Sequence, residues 1–108
     1  MVTPPGDPYG PLMATLLIEH PITDFDTWAT AFESFDAARH NAGVRTHRIT
    51  RPVDDDHYVL IELDFDTVEA AENFRHFLET AIWSTPDNSP ALVGTPHTRI
   101  VVPAATSK

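Results

Sequence analysis

The side chains in this chain whose types and spacing could do chemistry gather in residues 43–65, GVRTHRITRPVDDDHYVLIELDF. Two strand-like runs flank a Pro and acidic cluster at 52–56, which reads as a β-hairpin with that cluster at its tip. In the second run Val59, Ile61, Leu63 and Phe65 alternate with Tyr58, Leu60, Glu62 and Asp64, so one face is core and the other is mixed. One register across the tip sets His47 opposite Glu62, Arg45 opposite Asp64 and Ile49 opposite Leu60, all on the mixed face. His47 and Glu62 would then be an acid–base pair, the carboxylate raising the imidazole pKa toward neutrality. The plainer alternative is a cross-strand charge pair worth about 0.2–1 kcal/mol. Register decides the matter, because a slip of one residue sends the two to opposite faces. Tyr58 and Arg48 stand on the same hairpin, where they could orient a substrate carbonyl.

Outside the hairpin the candidates are fewer. Trp28 falls at helical spacing with Phe25 and Phe32, and His20 stands just before that helix. An aromatic box with an imidazole at its mouth suits a planar ligand stacked on indole, although an ordinary core Trp would leave the same pattern. Asp36 and Arg39 drift onto the buried side near the end of the same helix, where they could bind a polar substituent, although an i,i+3 ion pair with Arg39 favoured by the helix dipole is the plainer account. Trp83 either closes a pocket or anchors a loop. His76 falls about two-thirds of a turn from Phe74 on the second helix, toward solvent, which disfavours it as a haem ligand. The 54–57 run, DDDH, reads as a solvated turn rather than an ion site. No Gly-rich phosphate loop, nucleophile elbow or paired-His zinc motif occurs, so no cofactor and no metal is expected.

These residues need elements to position them, and the pattern supplies six. Residues 13–20, MATLLIEH, read as a central strand, with apolar neighbours Leu16, Leu17 and Ile18 on both faces. Pro21 ends it, and Thr23 or Asp24 can cap a helix running to about Arg39. Gly43 supplies its stop. After the hairpin, Asp66 and Glu69 fit a capping box that opens a second helix, with Ala71, Phe74, Phe77, Leu78 and Ile82 on one face. Residues 84–96 are rich in Pro, Ser, Thr and Asn, hence a loop, and 98–102 form a last strand with Ile100 and Val102 against Val101.

The order is β-α-β-β-α-β, the ferredoxin-like split unit of the α+β class, a four-stranded antiparallel sheet with two helices on one face. The other face then keeps apolar groups uncovered, a loss of several kcal/mol at about 25 cal/mol per Å². A second copy of the chain is the simplest cover, so a homodimer is expected.

Composition narrows the partners. The 108 residues carry 16 acidic and 7 basic side chains, a net charge of −9, which repels phosphate backbones and anionic lipid. No nucleic acid and no membrane surface is expected; a small-molecule ligand remains open. There is no Cys, which excludes disulfides, thiolate chemistry and cysteine-based zinc sites. No apolar run reaches the roughly 20 residues of a membrane span, and nothing resembles a signal peptide, so the expected location is cytoplasmic. Residues 1–12, Pro-rich, read as a disordered arm, 13–103 as the folded domain and 104–108 as a loose tail.

HPITDFDTWATAF at the first strand–helix junction, AGVRTHRITRPVDDD at the hairpin and FDTVEAAENF at the second helix resemble the dimeric α/β-barrel superfamily. The likeness is greatest to its small actinobacterial cyclase-like and antibiotic-biosynthesis-monooxygenase-like members. It covers about residues 13–103. The resemblance implies two sheets packed face to face as a barrel, with a pocket between helices and sheet in each subunit. It also implies a cofactor-independent oxygenase or cyclase acting on a planar, largely apolar substrate, or a non-catalytic dimeric ligand-binding or stress-associated protein. On the enzymatic reading His20, or His47 with Glu62, moves protons, and Trp28, Phe32, Tyr58, Arg48 and Trp83 shape the pocket.

Overall fold

The computed structural model describes residues 13–104; the arm expected over 1–12, and the expected tail beyond residue 104, lie outside the described residues. The chain runs β1 (Ala14–Pro21), α1 (Phe25–Ser34), α2 (Asp36–Asn41), β2 (Thr46–Thr50), β3 (Tyr58–Phe65), α3 (Val68–Phe77), a π-helical turn (Leu78–Ile82) and β4 (His97–Val101). All strand pairs are antiparallel and the order across the sheet is β2-β3-β1-β4. This is the ferredoxin-like arrangement, with the sheet open rather than closed on itself.

Alternation along β1 and β3 settles which face is core. Leu16, Leu63, Val59 and Phe65 are sealed under the helices, where they meet Trp28 of α1 and Ala71 and Phe74 of α3. Each such side chain contributes about 1.5–3 kcal/mol relative to exposure. Ile18 and Ile61 complete the row, directly opposite one another.

The helix starts come from local hydrogen bonds. Asp24, in extended backbone, accepts from the Thr27 amide at 2.8 Å, satisfying one of the orphan donors of α1. At α3 the cap is Thr67, not Asp66. Its hydroxyl accepts from the Ala70 amide at 3.1 Å, while Asp66 is held by the guanidinium of Arg45.

The first helix was expected to run unbroken to Arg39. It breaks at Phe35, whose φ of −103° and ψ of 19° leave the helical region. The Phe35 amide bonds back to Phe32 O at 3.2 Å, and the Ser34 hydroxyl donates to Ala31 O at 2.6 Å; such local hydroxyl bonds compete with the helical ladder. The break redirects α2, and Gly43, at φ +96°, ends it with the left-handed turn that glycine tolerates.

The hairpin register is the main correction. His47 pairs with Leu63, Arg48 with Glu62, Thr46 with Asp64 and Ile49 with Ile61, one residue away from the expected alignment. In this register Ile49 turns toward the helices and packs against the core, where the expected one left it on the open face. Burial of that side chain outweighs a charge pair on a wet surface. His47 and Glu62 therefore lie on opposite faces of the sheet and cannot form an acid–base pair.

The open face carries Leu17, Leu60 and Val101 among polar side chains. Leu16, Ile18 and Ile100, by the registers of β1 with β3 and β4, turn inward. One row across this face reads Arg48, Glu62, Leu17, Arg99. Above it Tyr58 donates its hydroxyl to Glu19 at 2.7 Å, which raises the phenol pKa, and below it Asp64 accepts from Thr15 and Thr46 at 2.6 and 2.5 Å, which lowers its own.

Candidate functional site

Between the helices and the sheet lies a cavity of about 80 Å³. Ile18, Ile61 and Leu63 form its floor and the aromatic residues of α1 and α3 its walls. Phe77, 37 % exposed although it was expected inside, marks the mouth.

Two titratable groups border this apolar space: His20 and Arg39. His20 reaches it by strand alternation, as the fourth inward position of β1 after Ala14, Leu16 and Ile18, and it is 2 % exposed. Its Nδ1 lies 2.8 Å from the Pro21 carbonyl. A carbonyl only accepts, so Nδ1 carries the proton and Nε2 is left as the acceptor. Burial disfavours the imidazolium and pulls the pKa below its usual 6.5, the carbonyl bond opposing in part. The side chain is thus neutral at pH 7, in the tautomer of a base.

Arg39 arrives through the break at Phe35. Its Nη1 donates to the Phe32 carbonyl, its guanidinium carbon sits 3.6 Å from the Phe32 ring centre, and Nη2 lies 3.5 Å from Asp36. The expected i,i+3 ion pair is present, with its carboxylate exposed at 81 % and the Arg39 side chain at 7 %. Burial lowers the Arg39 pKa, and the charges of Asp36 and Glu33 oppose the shift.

The aromatic wall is continuous. Trp28 stacks on Phe32 with ring centres 4.9 Å apart and meets Phe25 at 5.8 Å. Each such pair adds about 0.5–1.5 kcal/mol to its area burial. On the opposite wall the helix ends in the π turn, closed by the Trp83 amide on Leu78 O at 2.7 Å. This wider turn brings Leu78, Ile82 and Trp83 to the cavity, and such turns recur at functional sites.

The segment expected as a plain loop is a third wall. Asn88 donates to Ala81 O at 2.8 Å and Ser89 to Ile82 O at 3.1 Å, satisfying carbonyls at the helix end. The Thr23 amide binds Ala91 O at 2.9 Å, and Ile22 bridges Leu92. Ala91 is consequently 1 % exposed.

Of the residues expected to act, the structure brings His20, Trp28, Phe32 and Trp83 to the cavity. His47 lies on the helix side but outside the cavity, exposed, its ring edge-on to Phe32 at 5.4 Å. Glu62, Arg48 and Tyr58 stand on the far face of the sheet. The sequence reading placed Arg39 on the buried side and allowed it a polar substituent, but ranked the ion pair with Asp36 first; the break at Phe35 carries it to the cavity. It missed Asn88 and Ser89, whose signal is small polar residues just beyond a helix end. Among the described residues no three His, Asp or Glu side chains gather as a metal site would need, and no helix is long and apolar enough to cross a membrane.

No protein-family profile and no curated protein matches the chain. Solved structures do. SnoaB, a cofactor-independent oxygenase from Streptomyces nogalater, superposes with a TM-score of 0.59 at 15 % identity, over 87 % of this chain and 95 % of that one. A Streptomyces coelicolor monooxygenase in complex with nanaomycin D gives 0.58 at 14 %, over 90 % and 92 %. A dimeric ferredoxin-like protein from an uncultured marine organism gives 0.58 at 12 %, over 90 % and 92 %. The chain has the fold of these dimeric ferredoxin-like and antibiotic-biosynthesis-monooxygenase-like proteins.

Proposed function

We propose that the protein is a small-molecule enzyme of the cofactor-independent oxygenase or cyclase kind, acting on a planar, largely apolar substrate. The observation that carries the reading is a neutral, buried His20 in an otherwise apolar, aromatic-walled cavity. A base there meets its substrate away from water, where a proton transfer is not short-circuited by solvent. Nε2 of His20 takes a proton from an acidic ring C–H or O–H of the substrate. For an oxygenase the resulting anion supplies the electrons: a ring CH2 and O2 become a ring C=O and water, with no external reductant. For a cyclase the same anion attacks a carbonyl within the substrate. Trp28, Phe32 and Trp83 hold the ring.

The protein works as a homodimer on this reading. Leu17, Leu60 and Val101 on the open face, with the dimeric ferredoxin-like neighbour of the same fold, favour two sheets meeting face to face. Glu62, Arg48 and Tyr58 then belong to the subunit contact rather than to the chemistry, and His47 to the rim of the helix side.

The small cavity favours a second reading, a non-catalytic dimeric ligand-binding protein. Oxygen uptake separates the two. With anthrone, which carries an acidic ring CH2, the enzyme reading expects uptake above background in the wild type and loss of it in His20→Gln. Uptake that survives His20→Gln overturns the base assignment. Binding of anthrone or nanaomycin D, seen by quenching of Trp28 and Trp83, without any uptake favours the binding protein.

A further inference from the structure

The cavity contains a charge that an apolar substrate does not use. Arg39 is 6 % exposed, and with His20 it is one of two buried polar side chains among the described residues. Its oxygen partners there are a backbone carbonyl, which is neutral, and Asp36, whose carboxylate stands in water at 3.5 Å. A solvated carboxylate at that distance screens a buried cation weakly. The Phe32 ring offers its face to the guanidinium at 3.6 Å, which steadies the cation without neutralising it. Each guanidinium nitrogen either makes a hydrogen bond or touches solvent, and Arg39 lines the cavity. Burial without a full counter-charge is costly, and an anionic ligand would relieve it.

We propose that the cavity is an acid-binding site: its ligand is a planar aromatic monoanion whose carboxylate, or equivalent ionised oxygen, is seated on the Arg39 guanidinium. Guanidinium donors in a planar fork match two carboxylate oxygens at once, and such charge-assisted bonds are about twice as strong as neutral ones. The volume sets the size. An engineered apolar cavity of about 150 Å³ holds benzene, and this one has about 80 Å³. One ring fills the space, and any further fused ring projects through the mouth beside Phe77. The aromatic wall of Trp28 and Phe32 then meets the ring, while Arg39 meets its acidic end. The inference rests on the cavity of the proposed function being the ligand site, but it does not require turnover.

The test is calorimetric titration of the full chain with benzoate, and with benzamide as its neutral isostere. Benzoate is expected to bind at least about tenfold more tightly than benzamide. Arg39→Met, which keeps the stem, is expected to abolish that preference, weakening benzoate at least about tenfold more than benzamide. Asp36→Asn, on an exposed side chain, removes the competing carboxylate and should tighten benzoate about two- to fivefold. Equal affinity for the two probes in the wild type overturns the proposal. So does undiminished benzoate preference in Arg39→Met, or, where that variant does not fold, no gain in Asp36→Asn. The two readings fail separately: Arg39-dependent benzoate binding without oxygen uptake leaves the acid site standing and removes the oxygenase. His20-dependent uptake with no preference for benzoate does the reverse.

Discussion

If Arg39 is held in the cavity by the face of Phe32, the two side chains must be energetically coupled, and a double-mutant cycle measures by how much. Phe32→Leu removes the ring but not the Phe32 carbonyl, so the backbone bond from Arg39 Nη1 survives it. Arg39→Met removes that bond, the contact with Asp36 and the cation, and keeps most of the stem's packing. The stack of Phe32 on Trp28 is lost in both variants that lack the ring, so it cancels from the cycle. What remains is the interaction of the guanidinium with the ring at 3.6 Å. For a desolvated pair this is about 1–2 kcal/mol, toward the upper end of the cation–π range. Urea denaturation of wild type, both single variants and the double variant yields the coupling from four values of ΔG. Each kcal/mol corresponds to about 4–8 °C in Tm for a domain of this size, so thermal melts give an independent reading. A coupling below about 0.3 kcal/mol, the scatter expected of independent sites, would refute the claim that the ring positions the cation.

Two further outcomes follow from groups on either side of the sheet. Burial holds the His20 pKa below 6.5 in the folded chain, so between those two values the unfolded chain binds the extra proton and stability rises with pH. The contribution is complete above about 6.5 and is lost as the pH falls through the folded value. Urea midpoints at pH 5 and pH 7.5 should differ in the wild type and converge in His20→Gln; an unchanged difference would show that another group carries the acid sensitivity. On the open face, Leu60→Lys places a charge opposite Glu19 and should weaken self-association by about tenfold or more through lost apolar burial. Analytical ultracentrifugation at micromolar concentration reads it, and a wild type that sediments as a monomer removes the dimer altogether.

The element order was legible because it rests on periodicity, and periodicity is local. Val59, Ile61, Leu63 and Phe65 mark the inner face of β3 by alternation alone, and all four are buried. Register was not legible, since it depends on which partner residue a side chain meets across the sheet. The alignment that pairs His47 with Glu62 was one the sequence allowed; the fold takes the one that buries Ile49 against Ile61. The cavity was half legible. Trp28 and Phe32 announce an aromatic wall, and His20 stands at an inward position of β1. Arg39 announces its buried side by helical spacing, but not the backbone break at Phe35 through which it reaches the cavity, which no proline or glycine marks. The wall formed by Asn88, Ser89 and Ala91 is hidden for a related reason. Its bonds run to carbonyls of the preceding helix and to the end of β1, contacts that composition alone records only as loop.

The register also separates two jobs that the hairpin was expected to combine. With Arg48 opposite Glu62 and His47 opposite Leu63, every polar side chain of the β3 outer row points away from the cavity. The chemistry-bearing groups that remain, His20 and Arg39, come from β1 and from the broken first helix, elements that the core already holds rigid. A change on the outer face therefore reaches the cavity only through the backbone of the sheet, and its first effect is on assembly. Changes at His20, Phe32 or Arg39 act on the ligand directly, with the subunit contact untouched. That division is why His20→Gln and Arg39→Met are interpretable as probes of the site: neither alters the surface on which a second copy would sit.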